Sequence, residues 1–352
     1  MKGMEAVQKI ARRSVVVVVP TLNEERALAD ILETLIQQRA DHDKFDIVVA
    51  DGGSSDRTRE IANQYVDRYS FMHLIHNPRR LQGAAVNLVA RRWQHKVEYL
   101  VRCDAHADYP PSFVPRLLDT IERTGADSVV VPMDTVGEHC IDKAVAWISD
   151  TRVGSGGSAH RGGRKSGYVD HGHHAAFKLE RFIENGGYDE GFSHNEDAEF
   201  DCRLSLIGGK IFLDADIRIQ YHPRNSFFGL WKQYFNYGKG RSRTVKRHPS
   251  SLRLRQLAVP AFMWLMLCSM VIAPFSNSVF LWIVPFLYAS VLGVCSFAIA
   301  ARERAFCGLL CGVAALTMHA AWAAGFTWGY VTVRERPWKD VILSRVPNAP
   351  PP

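Results

Sequence analysis

The feature that most constrains how this chain can fold is a run of 46 consecutive residues, 256–301, without Asp, Glu, Lys or Arg. A second uncharged run covers 29 residues, 305–333. Because about 20 apolar residues are enough for a helix to span a bilayer, these runs argue against a wholly water-soluble protein. They predict spanning helices at about residues 257–275, 279–300 and 305–330.

The positive charge of the chain, which is +7 overall, is concentrated directly before the first uncharged run. Ten Lys or Arg residues and no acidic residue lie between positions 217 and 301. A basic block beside a spanning segment is expected on the cytoplasmic side, and it attracts anionic lipid head groups or a diphosphate-bearing lipid. Nucleic-acid binding is the rival explanation of the basic pI. It leaves the apolar runs without a purpose, so we expect no nucleic-acid partner.

The membrane topology stays open at this level. Three spans would place the basic residues 334–345 outside, against the positive-inside rule, so one apolar segment is expected to be re-entrant or not to span. Residues 1–13 lack the apolar core of a signal peptide, which predicts that the front part stays in the cytoplasm. The seven cysteines form no CxxC pair, which speaks against a zinc site or a disulfide framework and suits a reducing compartment.

Residues 14–224 read as alternating strands and helices. Strands are predicted at 15–19, 47–50, 71–75, 99–103 and 128–132, then over 168–177 and 211–220, with a helix at 196–207 before the last. Such alternation with short connections predicts an α/β domain with a Rossmann-like, mostly parallel sheet covered by helices. The Gly/Ser-rich segment 153–167 is either a solvent loop or a lid over an anionic ligand.

Five segments follow from these patterns. They are an N-terminal extension at 1–13, the α/β domain at 14–224, a basic amphipathic helix with a linker at 225–255, a transmembrane region of two or three helices at 256–333, and a tail at 334–352. In the third segment, apolar and aromatic residues at helical spacing are followed by a cluster of Lys and Arg, which is typical of a helix in the membrane interface.

Carboxylates recur where strands of the predicted sheet end, which is where ligands bind in open α/β sheets. Asp51 follows the second strand in DGGSSD, where it is either ordinary turn chemistry or an acceptor for a uracil or ribose. Asp104 and His106 follow the fourth strand, and in an extended segment they point to the same side. One carboxylate and one imidazole can hold a divalent ion whose shell a diphosphate completes. No P-loop or GxGxxG motif follows any strand.

Two further polar clusters allow two interpretations each. Glu196 and Asp197 begin a predicted helix, where acidic pairs usually cap, but Asp197 could also act as a general base toward an acceptor hydroxyl. His171, His173 and His174 in VDHGHH look like a zinc cluster. Because no ligand completes such a site at the usual spacing, we favour contacts to the acceptor or the leaving group.

Six features stand in the order that is typical of family 2 inverting glycosyltransferases with the GT-A fold, and the chain resembles that family over about residues 14–222. They are VVVVVPTLNEE, DGGSSDRT, NPRRLQGAAVN, the pair Asp104 and His106, GGYDEGFSHNED, and an apolar anchoring tail. The segments SAHRGGRKSGYVDHGHHAAF and QYFNYGKGRSRT are similar, more narrowly, to the ExoA-type membrane glucosyltransferases of succinoglycan exopolysaccharide synthesis.

The resemblance implies a role for each matching residue. Asp197 corresponds to the catalytic base that ends the family's ED motif. Asp104 and His106 stand at the DxD metal motif, where His is a departure that leaves the choice between Mg²⁺ and Mn²⁺ open, and His222 is a candidate for a further metal or diphosphate contact. The implied contacts to the nucleotide donor are Pro20, Thr21, Asn23, Glu24, Asp51, Arg79, Arg80 and Asp104. The implied contacts to the acceptor are His171, His173, His174, Glu196, Gln233, Lys239 and Arg241.

Taken together, the resemblance implies a multi-pass protein of the cytoplasmic membrane whose catalytic domain faces the cytoplasm. It would transfer one glucose from UDP-glucose, with inversion to a β-linkage, to a polyprenyl-diphosphate-linked saccharide, with other exopolysaccharide assembly proteins as further partners. The QxxRW motif of processive synthases is missing near Gln233, which favours addition of a single sugar. A processive synthase, a polyprenyl-phosphate sugar transferase and a non-catalytic nucleotide-sugar sensor are the alternatives.

Overall fold

The computed structural model describes residues 14–41, 45–156, 164–276 and 278–338. Two compact units are present. Of the described residues, the first contains those up to Val129 and those from His174 to Gly187, and the second contains the others. The boundary between the units therefore falls inside the predicted domain 14–224. The predicted extension 1–13, part of the Gly/Ser-rich segment (157–163) and most of the tail (339–352) lie outside the described residues.

The first unit is built on a sheet with the strand order β3-β2-β1-β4-β9. The first four of these strands run parallel, and β9 is antiparallel to β4. The sheet is formed by β1 (Val15–Thr21), β2 (Phe45–Asp51), β3 (Met72–His76), β4 (Tyr99–Arg102) and β9 (His173–Lys178). The short β5 (Ala107–Asp108) follows β4, and β6 (Ser128–Val131) crosses from the first unit into the second.

The five valines that begin β1 explain the position of this strand at the centre of the sheet. Val15–Val19 are at most 2% exposed, as expected for a strand that is covered on both faces. Helices cover the sheet, and the apolar residues of α1 that recur at helical spacing, such as Leu28, Leu32 and Leu35, are fully buried. The helices of this unit are α1 (Leu28–Asp41), α2 (Thr58–Arg68), α3 (Gln82–Trp93), α4 (Phe113–Thr124) and α7 (Leu179–Glu184).

The second unit contains shorter strands. β8 (Gly167–Val169) pairs antiparallel with β10 (Ile211–Leu213), and β7 (Met133–Thr135) pairs parallel with β11 (Ile219–Tyr221). Two sequence predictions are corrected here. The predicted strand 211–220 is two strands, because residues 214–218 turn between them, and the predicted stretch 168–177 is likewise divided between β8 and β9. Part of the predicted loop at 153–167 is the short helix α6 (Arg152–Ser155).

The remaining helices also belong to the second unit. They are α5 (Cys140–Ser149), α8 (Glu196–Leu206), α9 (Phe227–Arg247), α10 (Leu254–Ile272), α11 (Phe280–Glu303) and α12 (Cys311–Thr332). Among the residues that the structure describes, three segments are long and apolar enough to cross a membrane: Gln256–Phe275, Phe280–Glu303 and Phe306–Thr332. The predicted α/β class with a mostly parallel sheet, followed by apolar helices, is thereby confirmed.

One disulfide contradicts the expectation that the cysteines form none. Cys140 at the start of α5 is bonded to Cys307, which lies in a single 3-10 turn, Phe306–Leu310, before α12. The two Cα atoms are 5.0 Å apart. Sequence spacing could not reveal this pair, because 167 positions separate the two residues and only the fold brings them together.

Candidate active site

In the first unit, Asp51 ends β2 beside β1 and is 2% exposed. Its carboxylate accepts hydrogen bonds from the backbone N–H groups of Gly53 (3.0 Å) and Ser54 (3.2 Å) and from the Ser54 hydroxyl (2.5 Å). Gly53 has φ +84°, a left-handed conformation that favours glycine. The carboxylate that the sequence assigned to a nucleotide contact therefore also fixes the loop between β2 and α2.

Asn23 joins the loop after β1 to the loop after β2. Its backbone N–H donates to the Ser54 hydroxyl (2.9 Å), and its side-chain oxygen accepts from the N–H of Ser55 (2.8 Å). Asn23 has φ +60°, and Arg80, in the loop after β3, has φ +58°. Left-handed conformations are uncommon for residues other than glycine and concentrate at functional sites. The loops after β1 and β3 are therefore held in a specific shape.

Four other predicted donor contacts lie at the same edge of this sheet. Pro20 and Thr21 are the last residues of β1, and Glu24 follows them. The Thr21 hydroxyl is buried without a hydrogen-bond partner among the described residues, which is rare for a buried polar atom. Arg79 is exposed and immediately precedes Arg80.

Asp104 and His106 follow β4 in the same unit. Asp104 Oδ1 accepts a hydrogen bond from Arg102 Nε (3.0 Å) and another from the Gln82 amide. His106 Nδ1 lies 3.2 Å from Glu24 Oε1, so the loops after β1 and β4 meet at this pair. The strand order changes direction between β1 and β4, which is the position of the ligand crevice in doubly wound sheets.

These residues offer few ligands to a metal. No group of three or more His, Cys, Asp or Glu side chains is arranged to hold an ion in the part of the chain that the structure describes. One carboxylate and one imidazole fit a divalent ion that takes most of its oxygen ligands from a bound diphosphate, as Mg²⁺ often does. The donor set therefore suits an ion that binds together with a nucleotide, rather than a site built by the protein alone.

In the second unit, α8 begins at the predicted ED motif. Asn195 precedes the helix with φ +68°, Glu196 is 9% exposed, and Asp197 is partly exposed. Thr244 of α9 donates a hydrogen bond to the side-chain oxygen of Asn195 (3.2 Å). The left-handed residue and this contact fix where the helix starts, and hence the position of Asp197.

The structure brings one of the predicted histidines into the neighbourhood of Asp197. His171 Nδ1 lies 2.7 Å from Asp201 Oδ2, one turn after Asp197 on α8. His173 is the first residue of β9. His174 is 1% exposed. A ligand could reach His174 only after the covering side chains had moved, so we leave it out of the proposed site.

A pocket of about 240 Å³ lies between α9 and the segment that precedes α8. Lys239 of α9 lines it and has no carboxylate partner among the residues that the structure describes. Burial, together with the positive charges of Lys239 and Arg224, lowers the pKa of His194. The pocket is basic through Lys239, because the positive charge of Arg243 is paired with Glu335. Its lining residues are Gly191, Ser193, His194, Asn236, Lys239, Gly240 and Arg243.

Sequence reasoning predicted Lys239 but missed Ser193, His194, Asn236 and Arg243. Two signals were available. Ser193 and His194 directly precede the ED motif, and Asn236, Lys239 and Arg243 recur at the 3–4 spacing of one helix face. Gln82 and Arg102, which contact Asp104, were also missed, and only the fold reveals the first of them.

The remaining predicted residues have structural partners in the second unit. Gln233 donates to the hydroxyls of Tyr221 (2.6 Å) and Tyr237 (2.9 Å). Arg241 donates to the carbonyl of Ser251 (2.6 Å) and so holds the connection between α9 and α10. His222 is exposed directly after β11.

Comparison with known proteins agrees with this fold. The family model for glycosyl transferase family 2 matches residues 16–182. Succinoglycan biosynthesis protein ExoA of Rhizobium meliloti (strain 1021) is 37% identical over 335 residues, which are 93% of this chain and 98% of that protein. The dolichyl N-acetyl-alpha-D-glucosaminyl phosphate 3-beta-D-2,3-diacetamido-2,3-dideoxy-beta-D-glucuronosyltransferase of Methanococcus voltae is 21% identical over 239 residues, 66% of this chain and 74% of that one.

A solved structure shares the fold. The mannosyltransferase PcManGT from Pyrobaculum calidifontis, in complex with GDP-Man and Mn²⁺, matches with a TM-score of 0.59 over 92% of this chain and 89% of that chain, at 17% identity. The match extends the GT-A likeness to most of the chain. With the ExoA relative covered almost completely, the chain belongs to glycosyltransferase family 2 and has a GT-A-like catalytic fold.

Proposed function

We propose that this protein transfers one sugar, glucose, from UDP-glucose to a polyprenyl-diphosphate-linked saccharide in exopolysaccharide biosynthesis, at the cytoplasmic face of the inner membrane. The observation that carries the proposal is the basic pocket at the start of α8. One of its lining residues, His194, stands three positions before Asp197. The relationship to ExoA over nearly its whole length supports the pathway, and the M. voltae relative is named for transfer to a lipid-linked sugar phosphate.

The donor would bind at the strand ends of the first unit. Asp51, Asn23 and Arg80 hold the loops there in shapes that hydrogen bonds and left-handed residues fix in advance. Thr21 supplies a buried hydroxyl, and Asp104 and His106 would hold Mg²⁺ or Mn²⁺ against the diphosphate. When bound, such an ion supplies electrostatic stabilisation of the charge on the departing UDP.

Asp197 would act as the general base. Its carboxylate would accept the proton of the acceptor hydroxyl, whose oxygen attacks the anomeric carbon from the face opposite to UDP. The bond from that carbon to the diphosphate oxygen breaks, UDP leaves with the electron pair, and an α-linked donor gives a β-linked product. No covalent intermediate with the protein is formed, so the mechanism requires no Ser or Cys nucleophile.

The acceptor would reach Asp197 through the basic pocket. Lys239 and His194 present nitrogen donors, and Ser193 presents a hydroxyl, which suits the phosphate groups of a polyprenyl diphosphate. The exposed Phe228 and Trp231 near the start of α9 would lie toward the lipid. His171, Glu196, Gln233 and Arg241 stay in the proposal as residues beside the acceptor path.

The test uses membranes that contain the full chain, labelled UDP-glucose or UDP-galactose, and defined lipid-linked acceptors, followed by linkage analysis of the product. Asp197→Asn should lower turnover by about 10²–10⁴-fold and leave UDP binding intact. Asp67→Asn, an exposed residue of α2, is the matched control and should leave turnover unchanged. Unchanged turnover in Asp197→Asn would remove Asp197 as the base.

The acceptor pocket has its own matched pair on α9. Lys239→Gln should raise KM for the lipid-linked acceptor and leave KM for the UDP-sugar unchanged, whereas Lys232→Gln, which is exposed on the same helix, should change neither. Product analysis separates the alternatives. Long polymer would identify a processive synthase, sugar on a bare lipid phosphate would identify a polyprenyl-phosphate transferase, and donor binding without transfer would identify a sensor.

A further inference from the structure

The third apolar helix, α12, packs along α9 over most of its length. A Cβ atom at Gly325 would overlap the backbone of Phe235, and one at Gly238 would overlap the backbone carbonyl of Trp322, so glycines permit the close approach of the two helices. Residue 325 lies opposite residue 235, and Val333 lies opposite Lys246, so the helices run in the same direction. Within the second unit, α12 therefore packs closely against α9.

The start of α12 is fixed to the polar part of this unit, which we define as residues 130–156, 164–173 and 188–248. The disulfide between Cys307 and Cys140 lies directly before α12. Within the helix, the Cys311 thiol donates to the carbonyl of Ala144 (3.5 Å), and His319 Nε2 lies 2.8 Å from the carbonyl oxygen of Val153. The first half of α12 thus contacts α5 and α6.

The end of α12 is fixed to the same polar part. Lys246 Nζ donates to the carbonyl of Val333 (2.6 Å). The side chain of Glu335 is 6% exposed and accepts from Arg243 Nε (2.7 Å) and from Arg247 (2.8 Å). Removing one partner of a buried ion pair is strongly destabilising, so this attachment is firm.

These contacts determine where the ends of α12 lie. Its 22 residues span about 33 Å, enough to cross a bilayer, yet both ends meet one folded, polar body. A helix that crossed by itself would have its ends on opposite sides of the membrane. The burial of the three helices agrees with this placement of α12. Of the apolar stretch in each helix, 39% is buried within the protein for α12, but only 22% for α10 and 17% for α11.

α10 and α11 are less buried than α12, although Leu292 and Ile299 of α11 pack in the apolar cluster that joins α12 to α5. They form an antiparallel hairpin, in which the ring of Phe262 packs on that of Tyr288 (5.3 Å between the ring centres) and the Ser269 hydroxyl donates to the carbonyl of Leu281. Their large apolar side chains point outward, with Phe286 71% and Phe297 70% exposed. An apolar surface of this extent needs a partner. The two helices, of 19 and 24 residues, have lengths that match the hydrocarbon core of a bilayer.

We infer that α10 and α11 form a hairpin that inserts into the lipid bilayer, whereas α12 does not cross it, so that residues 334–338 lie on the same side as the polar part. This arrangement also places the basic residues that flank the apolar segments on one side: Arg253, Arg302, Arg304, Arg334 and Arg336. A single cytoplasmic side for all of them is what the positive-inside rule expects.

The experiment counts crossings by parity, with the full chain carrying a short epitope at each terminus. Protease is added to spheroplasts and to inside-out vesicles. An even number of crossings exposes both epitopes in the same preparation, which is the expected result. Three crossings would expose them in different preparations and would overturn the inference.

A second measurement tests the hairpin. Alkaline carbonate extraction should leave the protein in the membrane pellet, because two inserted helices hold it there. Release into the supernatant would show that α10 and α11 lie on the surface, and this would also overturn the inference. Neither measurement depends on sugar transfer. A failure of the topology inference can therefore be distinguished from a failure of the proposed reaction.

Discussion

His171 Nδ1 lies 2.7 Å from Oδ2 of Asp201, a carboxylate that is 1% exposed. Burial alone would lower the pKa of His171. The hydrogen bond to Asp201 and the negative charges of Asp197 and Asp201 outweigh burial and the positive charge of Arg241, so the pKa of His171 is raised above 6.5. The imidazole beside the proposed base therefore keeps its proton to a higher pH than an unperturbed histidine does.

We expect Asp201→Asn to remove this effect. A raised folded-state pKa contributes stability that is fully present below the unfolded value of 6.5 and is lost as pH rises through the folded value. The stability difference between wild type and Asp201→Asn should therefore be largest below pH 6.5 and shrink above it. Because His171 is about a third exposed, we expect about 1 kcal/mol at most. Thermal unfolding in detergent across pH, in a double-mutant cycle with His171→Gln, measures it, and a pH-independent difference would contradict it.

A second prediction concerns Glu199, which is fully buried at the centre of an ion-pair network. Arg203 Nε donates to both of its oxygens (2.9 Å each), and His248 Nε2 lies 3.2 Å from one of them. Glu199→Gln leaves buried positive charge uncompensated, so we expect a loss of about 3–5 kcal/mol in the free energy of unfolding. Denaturant titration in detergent measures this loss.

The matched control is Glu184→Gln, which breaks an exposed Glu–Arg pair within one helix and should cost no more than about 0.5 kcal/mol. The pH dependence has a definite sign. Burial raises the pKa of Glu199, but His248 and Arg203 outweigh it and lower the pKa below 4.5. The contribution is therefore present above pH 4.5 and is lost as pH falls through the lowered value. Equal losses in both variants would contradict the prediction.

The packing of α12 on α9 predicts a steric effect at Gly325. Gly325→Ala puts a methyl group against the backbone of Phe235, which cannot move aside, so the helices must separate. We expect about 1–3 kcal/mol of destabilisation, as for other overpacked sites. Gly293→Ala in α11 is the control. Apart from its chain neighbours and the nearby backbone of α11, no atom of the described residues lies within 4 Å of its added Cβ, so the variant should be neutral or gain up to about 1 kcal/mol from helix propensity. A thermal melt in one detergent compares the two.

A fourth prediction separates the loop role of Asp51 from nonspecific effects. In Asp51→Asn, one oxygen becomes an NH₂ group that faces the N–H donors of Gly53 and Ser54, so the loop after β2 must shift. Losing a hydrogen bond to a charged group costs about 1.5–3 kcal/mol, so the Kd for UDP should rise by about 10–100-fold. Isothermal titration with UDP tests this, with Asp67→Asn as the control. An unchanged Kd would mean that this loop takes no part in donor binding.

Sequence predicted those elements of the fold whose signal lies within a few neighbouring residues. The valine run of β1, the turn after Asp51 and the aromatic and basic pattern of α9 each carry their own signal, because burial, glycine and helical spacing act within a few residues. The strand predicted at 211–220 failed for a corresponding reason. Its apolar residues continue through a turn that begins at Asp214, which pattern alone does not separate.

The amino-acid sequence by itself determined that this protein has an α/β domain of family 2 type, an uncharged C-terminal region and acidic groups at strand ends, because these properties lie in contiguous residues. Only the tertiary structure decided which distant groups meet: Cys140 with Cys307, Glu335 with Arg243, and His194 with Lys239. The physical reason is that hydropathy measures each segment against water or lipid. Whether an apolar helix such as α12 contacts lipid or protein depends on the surface that packs against it.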